Sequence, residues 1–414
     1  ARPYESIGQR ITGSQSPTSA PKITAGDWQD VLGGAGSNKR ELFYSLSDFD
    51  PKSTLHVSAT VNQPLGGNDK VNVDIVRAKD VGTKDAYCVR DSALNLNATQ
   101  VGLLSPSVSY DAATATHEEC KPEGLVLRVR RGWDYVYDKY NGGGNNDLPV
   151  EIRIIEEPAI VKGQPLPNKT DDGIFQVPST TADRKKLVGG SSFANAPTIT
   201  DGAYALTTVP GETQIFLVDV DWGQSLQSQL TLPKLTGALK NQIGVLGPAI
   251  TTQIYSPARA LATKLIPDDS DGKPTNTRAQ LANPYSQQSR AMTAPIRYNN
   301  RDFLGGSSVE NDAAAALAGK YAIVVHTDPD KRSNVSYQVP VAFDVNVVGS
   351  VTGTPKYVST PKKVGQNATP TARDATPAMK KDAGIPVVPI GLGLVGVALL
   401  SGAYVVVRRS RELP

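Results

Sequence analysis

Few residues in this chain of 414 have a type and spacing that could do chemistry. Cys88 and Cys120 are its two cysteines, 32 positions apart. A zinc site takes about four ligands. Here there is no CxxC, and the nearest histidine is His117, in HEEC. In an exported protein the plain reading of such a pair is a disulfide. The histidines His56, His117 and His326 fall in unrelated blocks, with His56 and His326 on the polar faces of predicted strands. A nucleophilic triad needs a serine on a strained elbow, and GxSxG is absent. The two GGSS stretches, at 189–192 and 305–308, read as turns. NGGGNN (141–146) lacks the GK[ST] ending of a phosphate loop and reads as a hairpin loop. The expectation is a non-enzyme that needs no cofactor.

The remaining candidates are acidic and aromatic. Asp268-Asp269-Ser270-Asp271-Gly272 has the oxygen density of a calcium loop, with Asp269 and Asp271 as the candidate ligands. It lacks the downstream bidentate glutamate, so a surface turn is the preferred reading and no metal is expected. Asp48 and Asp50 recur near Asp219 and Asp221 in a second copy of the pattern, where they cap turns or hold calcium weakly. RGWDYVYDKYN gathers Trp133, Tyr135, Tyr137 and Tyr140, which could stack on sugars of a cell-wall glycan. Trp133, Tyr135 and Tyr137 also alternate, which strand packing explains equally simply.

The elements that must position these residues are strands. Val71, Val73 and Ile75 share one face, as do Leu125, Leu127 and Val129, and Val341, Phe343 and Val345. Period two over five to eight residues predicts half-buried strands. LGGND (65–69) and NGGGNND (141–147) separate them as turn clusters. The composition agrees: 37 Gly and 30 Pro against 7 Phe and 2 Met favour many short strands. The pattern also repeats in order. Ala20-Pro21 falls on Ala196-Pro197, Gly26 on Gly202, Phe43 on Phe216, Gly124 on Gly319 and Pro149 on Pro340. The period is far beyond that of a solenoid. The expected fold is all-β: two tandem antiparallel, jelly-roll-like sandwiches at 1–163 and 187–350, joined by a polar linker at 164–186. Residues 235–266 depart from the pattern and are expected to hold a short helix or an irregular insertion.

A Thr/Pro/Lys-rich stalk follows at 351–384. Residues 385–407, IPVVPIGLGLVGVALLSGAYVVV, carry no charge. As a helix they would extend about 35 Å, enough to cross a bilayer. Arg408, Arg409 and Arg411, in the tail 408–414, read as a stop-transfer signal. Gly391, Gly393, Gly396 and Gly402 offer small-residue packing to a neighbouring helix. Ala1 in place of Met points to a removed leader or a longer precursor. A formal charge of +3 is too weak and dispersed for a nucleic-acid binder.

ITGSQSPTSAPKITAG, LVLRVRRGW followed by LPVEIRIIEEP, GGSSFANAPTITDG, PIRYNNR and LAGKYAIVV occur in this order. In this order they resemble bacterial pre-peptidase C-terminal-type sandwiches. More closely, the chain resembles the C-terminal portion of actinobacterial von Willebrand factor A domain surface proteins. The von Willebrand domain and its DxSxS loop are absent, so no residue here takes over its metal-ion adhesion role. The resemblance implies an exported protein anchored by one C-terminal helix, with a cytoplasmic tail. Its expected role is an accessory subunit that contacts the bilayer and other membrane or envelope proteins. The alternative is a cell-wall glycan-binding or adhesion module.

Overall fold

Alternation of apolar and polar residues becomes strands throughout. The structure, a computed structural model, describes residue 2 and residues 4–360 except 35–36, 64–68, 82–86, 95–101, 113–119, 121–123, 133–145, 171, 177–182, 244–246, 265–276, 282–286, 304–309 and 331–335. Contacts divide the chain into a unit at 1–369 and a second at 370–414, which lies outside the described residues.

The first half holds β1 (Gln9–Arg10), β2 (Gly26–Leu32), β3 (Glu41–Ser45), β4 (Thr54–Gln63), β5 (Lys70–Arg77), β6 (Tyr87–Leu94), β7 (Gly102–Leu104), β8 (Ser107–Asp111), β9 (Leu125–Arg131) and β10 (Leu148–Glu157). One sheet runs β1-β2-β10-β4-β7, with β8 also on β4; the other runs β3-β9-β5-β6. Val57, Val61, Ile152 and Ile154 of the first sheet meet Tyr44, Val73, Ile75 and Leu127 of the second in one core. The disulfide Cys88–Cys120 ties β6 to the approach of β9, and both cysteines belong to that core.

The second half holds β11 (Lys185–Lys186), β12 (Thr198–Ile199), β13 (Gly202–Thr208), β14 (Thr213–Val220), β15 (Ser225–Thr231), β16 (Ala249–Tyr255), β17 (Arg278–Gln280), β18 (Gln288–Met292), β19 (Gly319–Thr327) and β20 (Val339–Val348). Its sheets run β11-β13-β20-β15-β18 and β12-β14-β19-β16-β17. Both halves share one strand order, β10 corresponding to β20 and β9 to β19. Gly26 and Gly202 open equivalent strands at φ 149° and 155°, backbone that favours glycine. The departure at 235–266 holds one short helix, α1 (Gly237–Gln242), followed by β16.

The repeat register differs by one residue from the match of Phe43 with Phe216. Ser14 bridges Phe43 as Gly190 bridges Ile215, so Phe43 corresponds to Ile215 and Tyr44 to Phe216. A one-residue slip exchanges the faces of a strand. Tyr44 and Phe216 therefore point into the two cores, whereas Phe43 lies on the outer side with Val76 and Val126. Gly13 and Gly189 mark the same register. A Cβ on either would stand 2.8 Å from the Tyr44 ring or 2.9 Å from the Phe216 ring.

Several strands are buried on both faces rather than one. On β15, Gln227 turns outward yet is buried, because residues 174–176 lie over it: its side chain donates to Ile174 O and accepts from Gln176 N–H. The polar 164–186 segment is thus partly docked. Thr170 N–H donates to Asn300 Oδ1, and Pro167 and Asn168 carbonyls accept from Asn299 and Arg297.

Candidate functional site

On β4 the residues Leu55, Val57, Ala59 and Val61 face the first core. The alternate set, Thr54, His56, Ser58 and Thr60, belongs on a solvent face by pattern, yet all four are buried. On β10 the alternate set is Glu151, Arg153 and Glu157, both glutamates also being buried. The second half covers this face. A bridging cluster of Tyr4, Leu103, Phe193, Ile215, Tyr255, Ala322 and Val324 joins the outer side of the six-stranded sheet to the outer side of the β14-β19-β16 sheet. The seam between the halves is therefore lined with charge, and charges taken out of water must be paired.

Two arginines of the second half do the pairing. Arg259 follows β16 and is left-handed, at φ 61°, a conformation that persists in a non-glycine residue only where the surroundings impose it. Its guanidinium meets Asp27 at 2.9 Å and Glu151 at 2.5 Å and lies 4.5 Å over the Phe193 ring. Its carbonyl accepts from Ser105 Oγ, which also contacts Thr60. Arg153 holds both oxygens of Asp27 at 2.9 Å, and the Tyr4 hydroxyl donates to Glu151 at 2.5 Å. Burial opposes the charge on Arg259, but Glu151 and Asp27 outweigh it and raise its pKa further.

The second node centres on Glu157. His56 Nε2 lies 2.8 Å from Glu157 Oε2, and Arg301 grips both carboxylate oxygens at 3.0 and 3.2 Å. The Tyr357 hydroxyl donates to Oε1 at 2.8 Å. Arg301 stacks 3.5 Å from the centre of the Tyr298 ring and spends its other donors on the Tyr298 and Ala316 carbonyls. Burial would raise the Glu157 carboxyl, but the His56 hydrogen bond and the Arg301 charge bring it down to about 2.

His56 Nδ1 lies 2.7 Å from Ser109 Oγ, directly across the β4–β8 ladder, so Ser109, His56 and Glu157 form a hydrogen-bonded row. Arg301 also holds both oxygens of Glu157, so the row ties β8, β4 and β10 to the second half. His326, on the outer side of β19, meets Thr213 Oγ1 at 2.8 Å through Nδ1. Burial, with Arg278 nearby, lowers its pKa to about 4, so it is neutral at pH 7.

Asp48 meets Lys22 at 2.8 Å and Asp219 meets Lys320 at 3.1 Å. Asp50 accepts from Lys52 N–H and Asp221 from Trp222 N–H. Asp219, Asp221, Gln224 and Gly319 line an open depression of about 490 Å³. Among the described residues no group of three His, Cys, Asp or Glu could hold a metal. No helix among them is long and apolar enough to cross a membrane. Asp269 and Asp271, the aromatic set Trp133, Tyr135, Tyr137 and Tyr140, the glycines Gly391, Gly393, Gly396 and Gly402, and Arg408, Arg409 and Arg411 lie outside the described residues. His117 does too.

The seam was missed by sequence reasoning, because alternation alone assigns its polar residues to solvent. One signal was present: PIRYNNR and LPVEIRIIEEP, far apart in the chain, meet through Arg301 and Glu157.

No protein-family model matches the chain. No curated protein matches it either. Among solved structures, the tandem CBM22-1-CBM22-2 domain of Paenibacillus barcinonensis Xyn10C aligns at 13% identity over 85% of this chain and 99% of that one, with a TM-score of 0.19. The cowpea mosaic virus top component aligns at 10% identity over 84% and 95%, with a TM-score of 0.21. The ANXUR2 extracellular domain of Arabidopsis thaliana aligns at 8% identity over 80% and 86%, with a TM-score of 0.18. Superposition this poor carries no argument about function.

Proposed function

We propose that this chain is a non-catalytic, membrane-anchored interaction protein of the cell envelope. In this reading two jelly-roll-like sandwiches face the outside, residues 385–407 span the membrane, and 408–414 are cytoplasmic. The sandwiches dock on other membrane or envelope proteins as an accessory subunit. The observation that carries the reading is the seam. Arg259 and Arg301 commit the polar faces between the halves to each other, which makes one stiff body of two sandwiches rather than two independent modules. A stiff body holds a docking surface in fixed geometry and spares the ordering cost that flexible modules incur on binding. The uncharged 385–407 run and the arginines after it support the anchor.

The test is affinity capture of the full chain from detergent-solubilised membranes, beside retention on purified cell wall. Specific co-purifying membrane proteins are expected. Retention on wall glycan without protein partners would favour a glycan-binding module instead. Recovery in the soluble fraction without detergent would remove the anchor from the proposal.

A further inference from the structure

The first residues of the segment expected to be an extended stalk, 351–384, instead return to the first half and form a small ribbon there, because their backbone groups find partners in 159–161. Ile160 and Tyr357 make an antiparallel bridge. Val161 N–H donates to Lys356 O at 2.8 Å, and Val358 N–H to Ala159 O at 2.9 Å. The Gln164 side chain donates to the Val161 and Lys356 carbonyls and accepts from Lys356 N–H, which fixes the ribbon. Side chains alternate across such a ladder. Tyr357 turns inward, onto Glu157 of the seam. Val161, Lys356 and Val358 share the other face, where the two valines are 42% and 63% exposed and Lys356 is exposed too.

We propose that this outer ribbon face rests on the anionic headgroup surface of the membrane, a contact that depends on the anchoring proposed above. Three observations favour lipid over a protein partner. First, the ribbon is the last described piece of chain before the run at 385–407. Only 26 residues, 359–384, intervene, and whatever their conformation they reach at most about 90 Å. Second, the face is amphiphilic in the manner of an interfacial contact, with apolar valines beside lysines whose stems can lie along them. Third, the local charge is one-sided. Along 155–170 and 350–360 the exposed charges are Lys162, Lys169 and Lys356, while Glu156 and Glu157 are buried. Lys169 is tied down through its Nζ, which donates to the Asp302 backbone carbonyl next to that residue's exposed side chain, and this leaves Lys162 and Lys356 as the free pair. Basic side chains near an anionic leaflet are attracted over about a Debye length.

The experiment uses the full chain in vesicles of phosphatidylcholine, with or without phosphatidylglycerol. A fluorophore on Val358→Cys, and in a control on Leu94→Cys, is quenched by headgroup-nitroxide lipid. Both substitutions are at exposed residues away from the seam. Quenching at 358 is expected to be several-fold that at 94 in phosphatidylglycerol vesicles. Lys162→Glu with Lys356→Glu should bring it down to the level at 94. Equal quenching at both positions in protein that floats with the vesicles overturns the ribbon contact and leaves the anchor standing. Self-quenching between labels without lipid quenching identifies a second copy as the occupant and overturns it as well. Protein that fails to float with the vesicles overturns both the anchor and the contact.

Discussion

Replacing Arg259 by methionine keeps the stem over Phe193 and removes the charge. The side chains of Arg259 and Glu151 are 4% and 0% exposed, so no water replaces the lost partner. Glu151 would be left with the Tyr4 hydroxyl alone, and Asp27 with Arg153 alone. Removing one member of a buried ion pair costs about 3–5 kcal/mol. The loss falls on the seam and not on either core, because the apolar sets of the two halves are separate clusters. Arg259→Met should therefore lower stability by about that amount and split a single urea transition into two, one per sandwich. Tryptophan fluorescence reports on both halves, through Trp28 and Trp222. The rescue is the decisive arm. With Glu151→Gln added, no carboxylate remains unpaired at that point and the amide oxygen still accepts from Tyr4. Neutral replacements of buried pairs are often nearly cost-free, so the double variant should recover about 2 kcal/mol or more. A single variant within about 1 kcal/mol of the parent and still cooperative would refute the clasp, as would a double variant no more stable than the single one.

Acid should loosen the molecule in two stages. His326 has its pKa depressed to about 4, below the 6.5 of an unfolded histidine, so its contribution is intact above pH 6.5 and is lost as pH falls towards 4. Glu157 is held at about 2 against 4.5, so its contribution of about 3 kcal/mol disappears between about pH 4.5 and 2. His326→Gln should flatten the first slope of a stability–pH titration and leave the second, and an unchanged first slope would reject the assignment. Intact mass without reductant should show no free thiol at Cys88 or Cys120. Reduction should destabilise the first sandwich by about 3–4 kcal/mol on the chain-entropy account, checked by urea midpoints. Gly189→Ala would press a Cβ to 2.6 Å from Gln214 Cβ and 2.9 Å from the Phe216 ring, so it should cost about 1–3 kcal/mol in thermal unfolding. The half-buried Gly211→Ala has open space for its Cβ but a φ of 80°, and should lose only about 1 kcal/mol, from backbone strain.

Much of the strand content was legible because alternation is a local signal. Val71, Val73 and Ile75 face one core, as their spacing predicts. The repeat was legible as order, and its strand order recurs in the structure. Its register was not, because two phenylalanines attract an alignment by type. The actual landmarks are Gly13 and Gly189, whose missing side chains admit the rings of Tyr44 and Phe216. The seam was illegible for a different reason. Thr54, His56, Ser58 and Thr60 look the same in sequence whether water or another sandwich lies over them. Only long-range pairing distinguishes the cases, and Arg301 reaches Glu157 across 144 positions.

The seam and the ribbon meet at one carboxylate, which bears on how load would pass through an anchored molecule. Glu157 ends β10, the strand whose partner on one side is β4 and on the other β2. It receives His56 from the first sandwich, Arg301 from the second and Tyr357 from the first residues of the 351–384 segment. Tension along 359–384 would therefore arrive at a node shared by both halves before it reached β20, the final strand of the second sandwich. Burial of the node keeps its hydrogen bonds strong, since the low local dielectric that makes an unpaired charge costly also strengthens a paired one. Tyr357→Phe removes one donor to Glu157 and leaves Arg301 and His56 in place, so equilibrium stability should fall by about 1–2 kcal/mol at most. Under force applied through the C-terminus the effect should be larger, because the second sandwich would then peel from β20 inward. If single-molecule pulling gives the same unfolding force with and without Tyr357→Phe, the load does not run through Glu157.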